Sequence, residues 1–177
     1  MDRDIRQLAL DALYNRSDKK SETSKSCFIF NEAGTELRAC NADAIPALEE
    51  LFLDVIVPAM EQHRKQNGIP DWNSMIQEGP PFAGLSEFIG AYWIICARSD
   101  PSRAIRFMRT MTRPVVSESV SLLAVYFHPA NSLSNVTIPD EYIAYVKELG
   151  NSNVDEYRDV AHYVANHLHL NISATGW

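Results

Sequence analysis

The chain has 177 residues, of which 46% are hydrophobic and 22% are charged, a composition typical of one globular domain spanning residues 1–177 and not of a disordered protein. A domain of this size buries enough surface to fold without disulfides or metals. The formal net charge of −7 argues against a nucleic-acid partner, because neutralising phosphates requires a basic face.

The first forty residues predict a helix, a polar segment and a hairpin. Apolar residues recur at helical spacing over residues 4–14, which indicates a short amphipathic helix. Residues 15–26 contain no apolar side chain and predict a flexible polar segment. An Asn31…Gly34 turn between two short runs indicates a small β-hairpin near residues 27–40.

A long helix is the strongest element of the sequence. Apolar side chains recur with the helical period over residues 45–60, and Pro46 suits the first turn of a helix. Asn67-Gly68 is a typical helix end. Pro58 lies inside the pattern and removes one backbone hydrogen bond, so we expect a kink there.

The second half of the chain predicts further helices. Residues 68–84 form a loop rich in glycine and proline, and the almost wholly apolar run at 85–97 predicts a buried central helix. Four more helices are expected over residues 101–112, 114–127, 139–149 and 154–168. The predicted fold is therefore mostly α-helical, arranged as stacked antiparallel helical hairpins or as an orthogonal helical bundle.

The last four predicted helices show an internal repeat. Pro101 and Pro139 each open a helix and lie 38 residues apart. The sequences at 116–118 and 154–156, Val-Ser-Glu and Val-Asp-Glu, open the following helices at the same offset. Such a period predicts two repeated units, each made of two helices joined by a short turn.

The second unit has the clearer pattern, with Asp155, Arg158 and Ala161 in its second helix, whereas the first unit has Val120 at the position of the arginine. In these features residues 101–168 resemble the HEAT-repeat family. The resemblance implies stacked α-hairpins and a scaffold that binds other proteins.

Arginines gather in one short segment. The spacing of the arginine stripe predicts that its four members share one flank of a helix, and they are Arg103, Arg106, Arg109 and Arg113. Segment 98–113 carries a net charge of +4, which leaves −11 for the remainder of the chain. Guanidinium groups bind carboxylates and phosphates in bidentate fashion, so the stripe is a candidate binding site for an acidic partner or a phosphate. Alternatively, acidic residues of a neighbouring helix neutralise the stripe, and the candidates are Asp140, Glu141 and Glu148.

Sites for catalysis, cofactors and metals have no comparable signal. The sequence contains no Gly-x-Ser-x-Gly elbow, no glycine-rich phosphate loop and no Ser-x-x-Lys pair. Three histidines near the C-terminus lack the i,i+4 spacing of zinc ligands, and they are His162, His167 and His169. We therefore expect no catalytic residue, no cofactor and no metal, and favour a protein without enzymatic activity.

Two functions follow from these patterns. The favoured one is a cytoplasmic, non-catalytic domain that binds and sequesters another protein. Its location is expected because no secretion signal is recognisable and no apolar run reaches the roughly 20 residues that span a bilayer. The alternative is a small-molecule-binding protein or an unrecognised enzyme, with its site between loop 68–84 and helix 85–97.

Overall fold

The computed structural model describes residues 4–15, 31–67, 83–130 and 134–171. These residues are mostly α-helical, which confirms the predicted class, and no β-strand occurs among them. The chain divides into two compact units, unit 1 (Met1–Ile95) and unit 2 (Cys96–Trp177). Apart from Asn15, the predicted flexible segment lies outside the described residues, as does loop 68–84 up to residue 82.

Unit 1 is built from helices of very different length. They are α1 (Ile5–Tyr14), α2 (Glu32–Arg38), a 3₁₀ turn (Ala42–Ala44), α3 (Ile45–Leu51), a π-helical turn (Phe52–Ile56), α4 (Val57–Asn67) and α5 (Leu85–Ser99), of which all but the last turn belongs to this unit. α1 packs against both α2 and α3. Every residue of α5 from 87 to 96 is buried, which agrees with the central helix predicted at 85–97.

The β-hairpin predicted near residues 27–40 is wrong for the described part, because α2 occupies it. The Asn31 carboxamide oxygen accepts a hydrogen bond from the Gly34 N–H at 2.5 Å and caps the helix. Its amide nitrogen donates to the carbonyls of Ala12 at 2.7 Å and Asn15 at 3.0 Å. The residues that suggested a turn therefore start a helix and join it to the end of α1. Residues 27–30 lie outside the described part.

The long helix predicted from residue 45 is present and is irregular next to Pro58. The π-helical turn Phe52–Ile56 comes immediately before α4, and the Val57 N–H donates to the Phe52 carbonyl five residues earlier. Pro58 has no N–H to donate to Asp54, and its ring crowds that carbonyl. The wider π turn avoids this conflict, because its hydrogen bonds reach back five residues.

Aromatic rings hold α5 against the long helix. The Phe52 ring meets the rings of Phe88 and Tyr92 edge-on, with centroids 5.1 and 5.4 Å apart. The Tyr92 hydroxyl donates a hydrogen bond to the Glu49 carboxylate at 3.0 Å. These edge-to-face contacts add to the burial of apolar area, and the hydrogen bond satisfies the buried tyrosine.

Unit 2 begins with the last turn of α5. Its further helices are α6 (Pro101–Met108), α7 (Arg113–Ser121), α8 (Leu123–Tyr126), α9 (Asp140–Gly150) and α10 (Asp155–Leu168). α9 packs against α6 and α10, and α10 packs against α7 and α8. The helix predicted at 114–127 is interrupted at Leu122, whereas the other predicted ends agree within a few residues. Among the described residues, no helix is long and apolar enough to cross a membrane.

Two features of unit 2 position α6 and α9. Asp100 caps α6 by accepting a hydrogen bond from the Arg103 N–H at 3.1 Å, and Pro101 occupies the first turn. Tyr142 of α9 is fully buried and meets the Phe127 ring edge-on, with centroids 5.9 Å apart. Burial raises the pKa of Tyr142, so this side chain is a neutral core residue.

Candidate functional site

A groove between α6 and α9 is the candidate functional site. It is open to solvent and has a volume of about 420 Å³. Its lining residues are Ser102, Ile105, Arg106, Arg109, Glu141, Ala144, Tyr145 and Glu148. On each helix these residues follow the spacing i, i+3, i+4, i+7, which places them on one face. The groove therefore arises where one face of α6 meets one face of α9.

The groove has an apolar base and a charged rim. Ile105 and Tyr145 are buried, with 7% and 3% of their surface exposed, and form the base. Ala144 is small and exposed, so it leaves room above the base. The charged lining residues are all exposed, with the arginines on the α6 side and the glutamates on the α9 side.

Arg109 is the most fixed of the rim arginines. Its Nε and Nη2 atoms donate to the two carboxylate oxygens of Glu148, at 3.3 and 2.5 Å. The guanidinium carbon also lies 5.8 Å from the centroid of the Tyr145 ring, within the range of a cation–π contact. The hydrogen bonds to Glu148 raise the pKa of Arg109, and burial raises the pKa of Tyr145. The guanidinium therefore stays charged, and the ring stays neutral.

The structure divides the arginine stripe. Arg106 and Arg109 line the groove, and the Arg106 Nη2 atom donates to Asp100 at 3.2 Å. Arg103 does not line it, and its backbone N–H takes part in the cap of α6. Arg113 belongs to another helix, since α6 ends at Met108 and α7 begins at Arg113. It is exposed and lowers the pKa of Tyr157, which burial raises.

Among the described residues, the predicted pairing of the stripe with α9 is formed by Arg109. Of the three acidic candidates on α9, Glu148 pairs with Arg109. Asp140 and Glu141 form no ion pair among the described residues, and both lie in the first turn of α9, where a carboxylate interacts favourably with the helix dipole. Arg106 instead pairs with Asp100 from the cap of its own helix.

A second cluster of charges is buried in unit 1. Arg38 of α2 donates to the Glu87 carboxylate of α5 at 2.7 Å, and these side chains are 9% and 6% exposed. Arg38 also donates to the Thr35 hydroxyl at 3.1 Å. Burial raises the pKa of Glu87, and Arg38 opposes this effect. A Cβ atom on Gly34 would lie 2.4 Å from the Glu87 carboxylate, so the helices meet closely here.

The C-terminal histidines do not gather into one site. His167 lies on α10, where its Nδ1 atom is 2.8 Å from the Tyr163 carbonyl oxygen. The centroids of the His167 and Tyr163 rings are 4.2 Å apart. His169 ends the helix with a left-handed backbone, at φ 52°. Within the described parts of the chain, no group of three or more His, Cys, Asp or Glu side chains is arranged to hold a metal ion.

The α9 side of the groove was missed in the sequence prediction, apart from its acidic residues. Tyr145 and Ala144 are ordinary helical positions when α9 is considered alone. The available signal is the run Glu141, Ala144, Tyr145 and Glu148, which places an aromatic and a small residue between two glutamates on one face. That pattern marks a face, but it does not identify the helix that the face meets.

Comparison with known proteins gives no function for the α6–α9 groove. No protein-family model matches the chain, and no curated protein or solved structure gives a significant match. The resemblance of residues 101–168 to HEAT repeats therefore stays a prediction from the sequence.

Proposed function

We propose that the protein is a cytoplasmic, non-catalytic protein-interaction domain in which the α6–α9 groove receives a segment of a partner protein. In this proposal unit 2 consists of stacked helical hairpins of the HEAT type. The observation that carries the proposal is the groove itself, which combines a buried apolar base with an exposed charged rim. Protein–protein interfaces have this anatomy of an apolar centre and a polar rim.

The residues at the centre of the groove favour a protein partner. Tyrosine and arginine are among the residues that contribute most to binding energy at protein interfaces. Tyr145 and Arg109 lie together here, with the guanidinium held over the ring. The groove is open to solvent, whereas small-molecule sites usually surround most of the ligand. A partner that covers the groove from outside therefore fits its shape.

The ion pairs at the rim are weak enough to exchange. The side chains of Arg109 and Glu148 are 52% and 51% exposed, and those of Arg106 and Asp100 are 63% and 48% exposed. Pairs of such exposure contribute about 0–1 kcal/mol each. A carboxylate from a partner can replace Glu148 or Asp100 at little cost, and the same arginines then serve recognition.

Site-specific photo-cross-linking in the native host tests this proposal. Ala144→p-benzoylphenylalanine places the cross-linker in the groove, and Asn166→p-benzoylphenylalanine places it on an exposed position of α10 as the control. We expect one discrete protein adduct from position 144 and none from position 166. The purified adduct partner should then bind the wild type about tenfold more tightly than it binds Arg109→Glu in a calorimetric titration. The same adducts from both positions, or none from position 144, would contradict the proposal.

A second candidate function is supported by Glu87. It lies on α5, one of the two segments from which the small-molecule or enzyme site between loop 68–84 and helix 85–97 was predicted, and burial raises its pKa. Buried carboxyl groups with a raised pKa are frequent in active sites. A thermal-shift screen of metabolites and metal ions tests this candidate. A stabilising compound whose effect disappears in Glu87→Gln would favour it, and a screen without such a compound would reject it.

A further inference from the structure

The two sides of the groove carry opposite charges. Arg106 and Arg109 line the α6 side, and Glu141 and Glu148 line the α9 side, so the lining has no net charge. We infer that the occupant is an amphipathic helix of a partner protein, with acidic side chains along one flank and basic side chains along the other. The inference rests on the proposed function and specifies the class of partner segment.

The backbone of the groove favours a helix over an extended segment. An extended peptide binds best where a sheet edge offers free N–H and C=O groups. Every lining residue belongs to α6 or α9 or ends α6, so the groove presents no strand edge with a row of free backbone N–H and C=O groups. A helix satisfies its own backbone and needs only side-chain contacts. An amphipathic helix laid in such a groove buries its apolar face against the base, in the mode known from other helix-binding proteins.

On each charged side of the groove, one group can still bind a charged side chain of a partner. The bonds that Arg109 makes to Glu148 use Nε and Nη2, and Nη1 has no protein partner among the described residues. On the other side, Glu141 has no ion pair among the described residues. An acidic side chain therefore suits Arg109, and a basic side chain suits Glu141. This arrangement resembles the charged positions that flank the seam of a coiled coil.

The same charges disfavour uniformly charged partners. A phosphorylated or wholly acidic segment brings negative charge next to Glu141 and Glu148. A wholly basic segment brings positive charge next to Arg106 and Arg109. Like charges in contact oppose binding, so the groove discriminates against both classes. The arginines in the groove therefore do not indicate that the partner is a polyanion.

Four synthetic helices of about 18 residues, each stapled and with the same apolar face, test the inference. The first has one flank of glutamates and one of lysines, and the second has these flanks exchanged, because a helix can lie in the groove in either direction. The third has glutamates on both flanks, and the fourth has lysines on both. We expect fluorescence anisotropy to show that at least one mixed helix binds the wild type about tenfold more tightly than either uniform helix does.

Charge reversal in the protein provides the matched control. Arg106→Glu with Arg109→Glu makes the whole rim acidic, so this variant should prefer the all-lysine helix. Glu141→Lys with Glu148→Lys makes the rim basic, so that variant should prefer the all-glutamate helix. A gain of binding in each variant also shows that the variant is folded.

Three results would overturn the inference: equal affinity of the wild type for all four helices, preference for a uniform helix, or no binding of any helix. The cross-linking experiment at position 144 does not depend on these probes. An adduct with an extended segment of a partner would therefore contradict the helical occupant but support the proposed interaction domain. The absence of any adduct would contradict the proposed interaction domain itself.

Discussion

Two ion pairs of the same chemistry but different burial allow a quantitative prediction. The Arg38–Glu87 pair in unit 1 has a distance of 2.7 Å and side chains that are 9% and 6% exposed. The Arg109–Glu148 pair in unit 2 has a distance of 2.5 Å and side chains that are 52% and 51% exposed. Because the contact distances are similar, a difference in energy between the pairs reports the effect of solvent.

We expect Glu87→Gln to lower the free energy of unfolding by about 3–5 kcal/mol, because it removes the carboxylate that pairs with the buried guanidinium of Arg38. Arg38→Met should cost a similar amount at neutral pH. The double substitution Arg38→Met with Glu87→Leu removes both charges and keeps the space filled, so its stability should lie within about 2 kcal/mol of the wild type. The single variant Glu87→Leu, which should cost about as much as Glu87→Gln, completes the double-mutant cycle. The corresponding cycle at Arg109 and Glu148 should give a coupling energy of about 0–1 kcal/mol.

Urea denaturation measures both cycles. Trp93 of α5 is fully buried, and its fluorescence reports unit 1 when Trp72→Phe and Trp177→Phe remove the other two tryptophans. For the Arg109–Glu148 cycle, circular dichroism measures the loss of helix as the variants unfold in urea. A cost of less than about 1 kcal/mol for Glu87→Gln, or equal coupling energies from the two cycles, would contradict this prediction.

Three further predictions concern pH and close packing in unit 1. Because burial raises the pKa of Glu87 above its usual 4.5, its contribution to stability is greatest below that value and is lost as pH rises through the folded pKa. In Arg38→Met the folded pKa rises further, so the loss of stability should be small at about pH 4 and large at about pH 7 in urea titrations. Asn31→Asp keeps the cap of α2 but loses the hydrogen bond to the Ala12 carbonyl, and should cost about 1–3 kcal/mol, whereas Asn31→Ala should cost about 1 kcal/mol more. Gly84→Ala places a Cβ atom 1.8 Å from the Ala12 carbonyl oxygen, a backbone atom that yields little, so its thermal midpoint should fall by at least about 10 °C.

Each of these predictions has a clear contrary result. A pH-independent loss in Arg38→Met would show that Glu87 is not the titrating group. Equal stability of Asn31→Asp and Asn31→Ala would show that the side-chain cap at position 31 does not stabilise α2. A Gly84→Ala variant as stable as Gly34→Ala, whose Cβ would meet only side-chain atoms, would show that the backbone moves to make room.

The helices of this chain are predictable where local signals agree. Pro101 and Pro139 stand at helix starts, and the α5 run is apolar on all sides, so composition and periodicity lead to one answer. α2 was not predictable, because Asn31 and Gly34 suit both a turn and a helix cap. Hydrogen bonds from Asn31 to α1, which are contacts distant in sequence, accompany the helical outcome. Local propensity is a weak guide at such a position.

The groove was half predictable for a related reason. Arg106 and Arg109 stand out because they repeat at helical spacing in a cluster of positive charge. Glu141 and Glu148 were also among the predicted pairing candidates, but Ala144 and Tyr145 do not stand out, because they lie on a helix that is distant from Arg109 in the sequence. A sequence defines the faces of individual helices, but it does not specify which faces meet. Arg113 was wrongly placed with the others because the end of α6 at Met108 has no proline or glycine to mark it.

The two ion pairs suit different roles because their energies differ. A buried pair is expensive to break, and Arg38–Glu87 therefore fixes the position of α2 against α5. An exposed pair is inexpensive to break, so Arg109 can exchange Glu148 for a carboxylate of a partner without loss of the fold. Because the exposed pairs contribute little to stability, charge reversal in the groove should change binding and leave folding nearly unaffected. The proposed recognition of a partner therefore rests on the exposed pairs of unit 2, where the charges are preoriented but only weakly held.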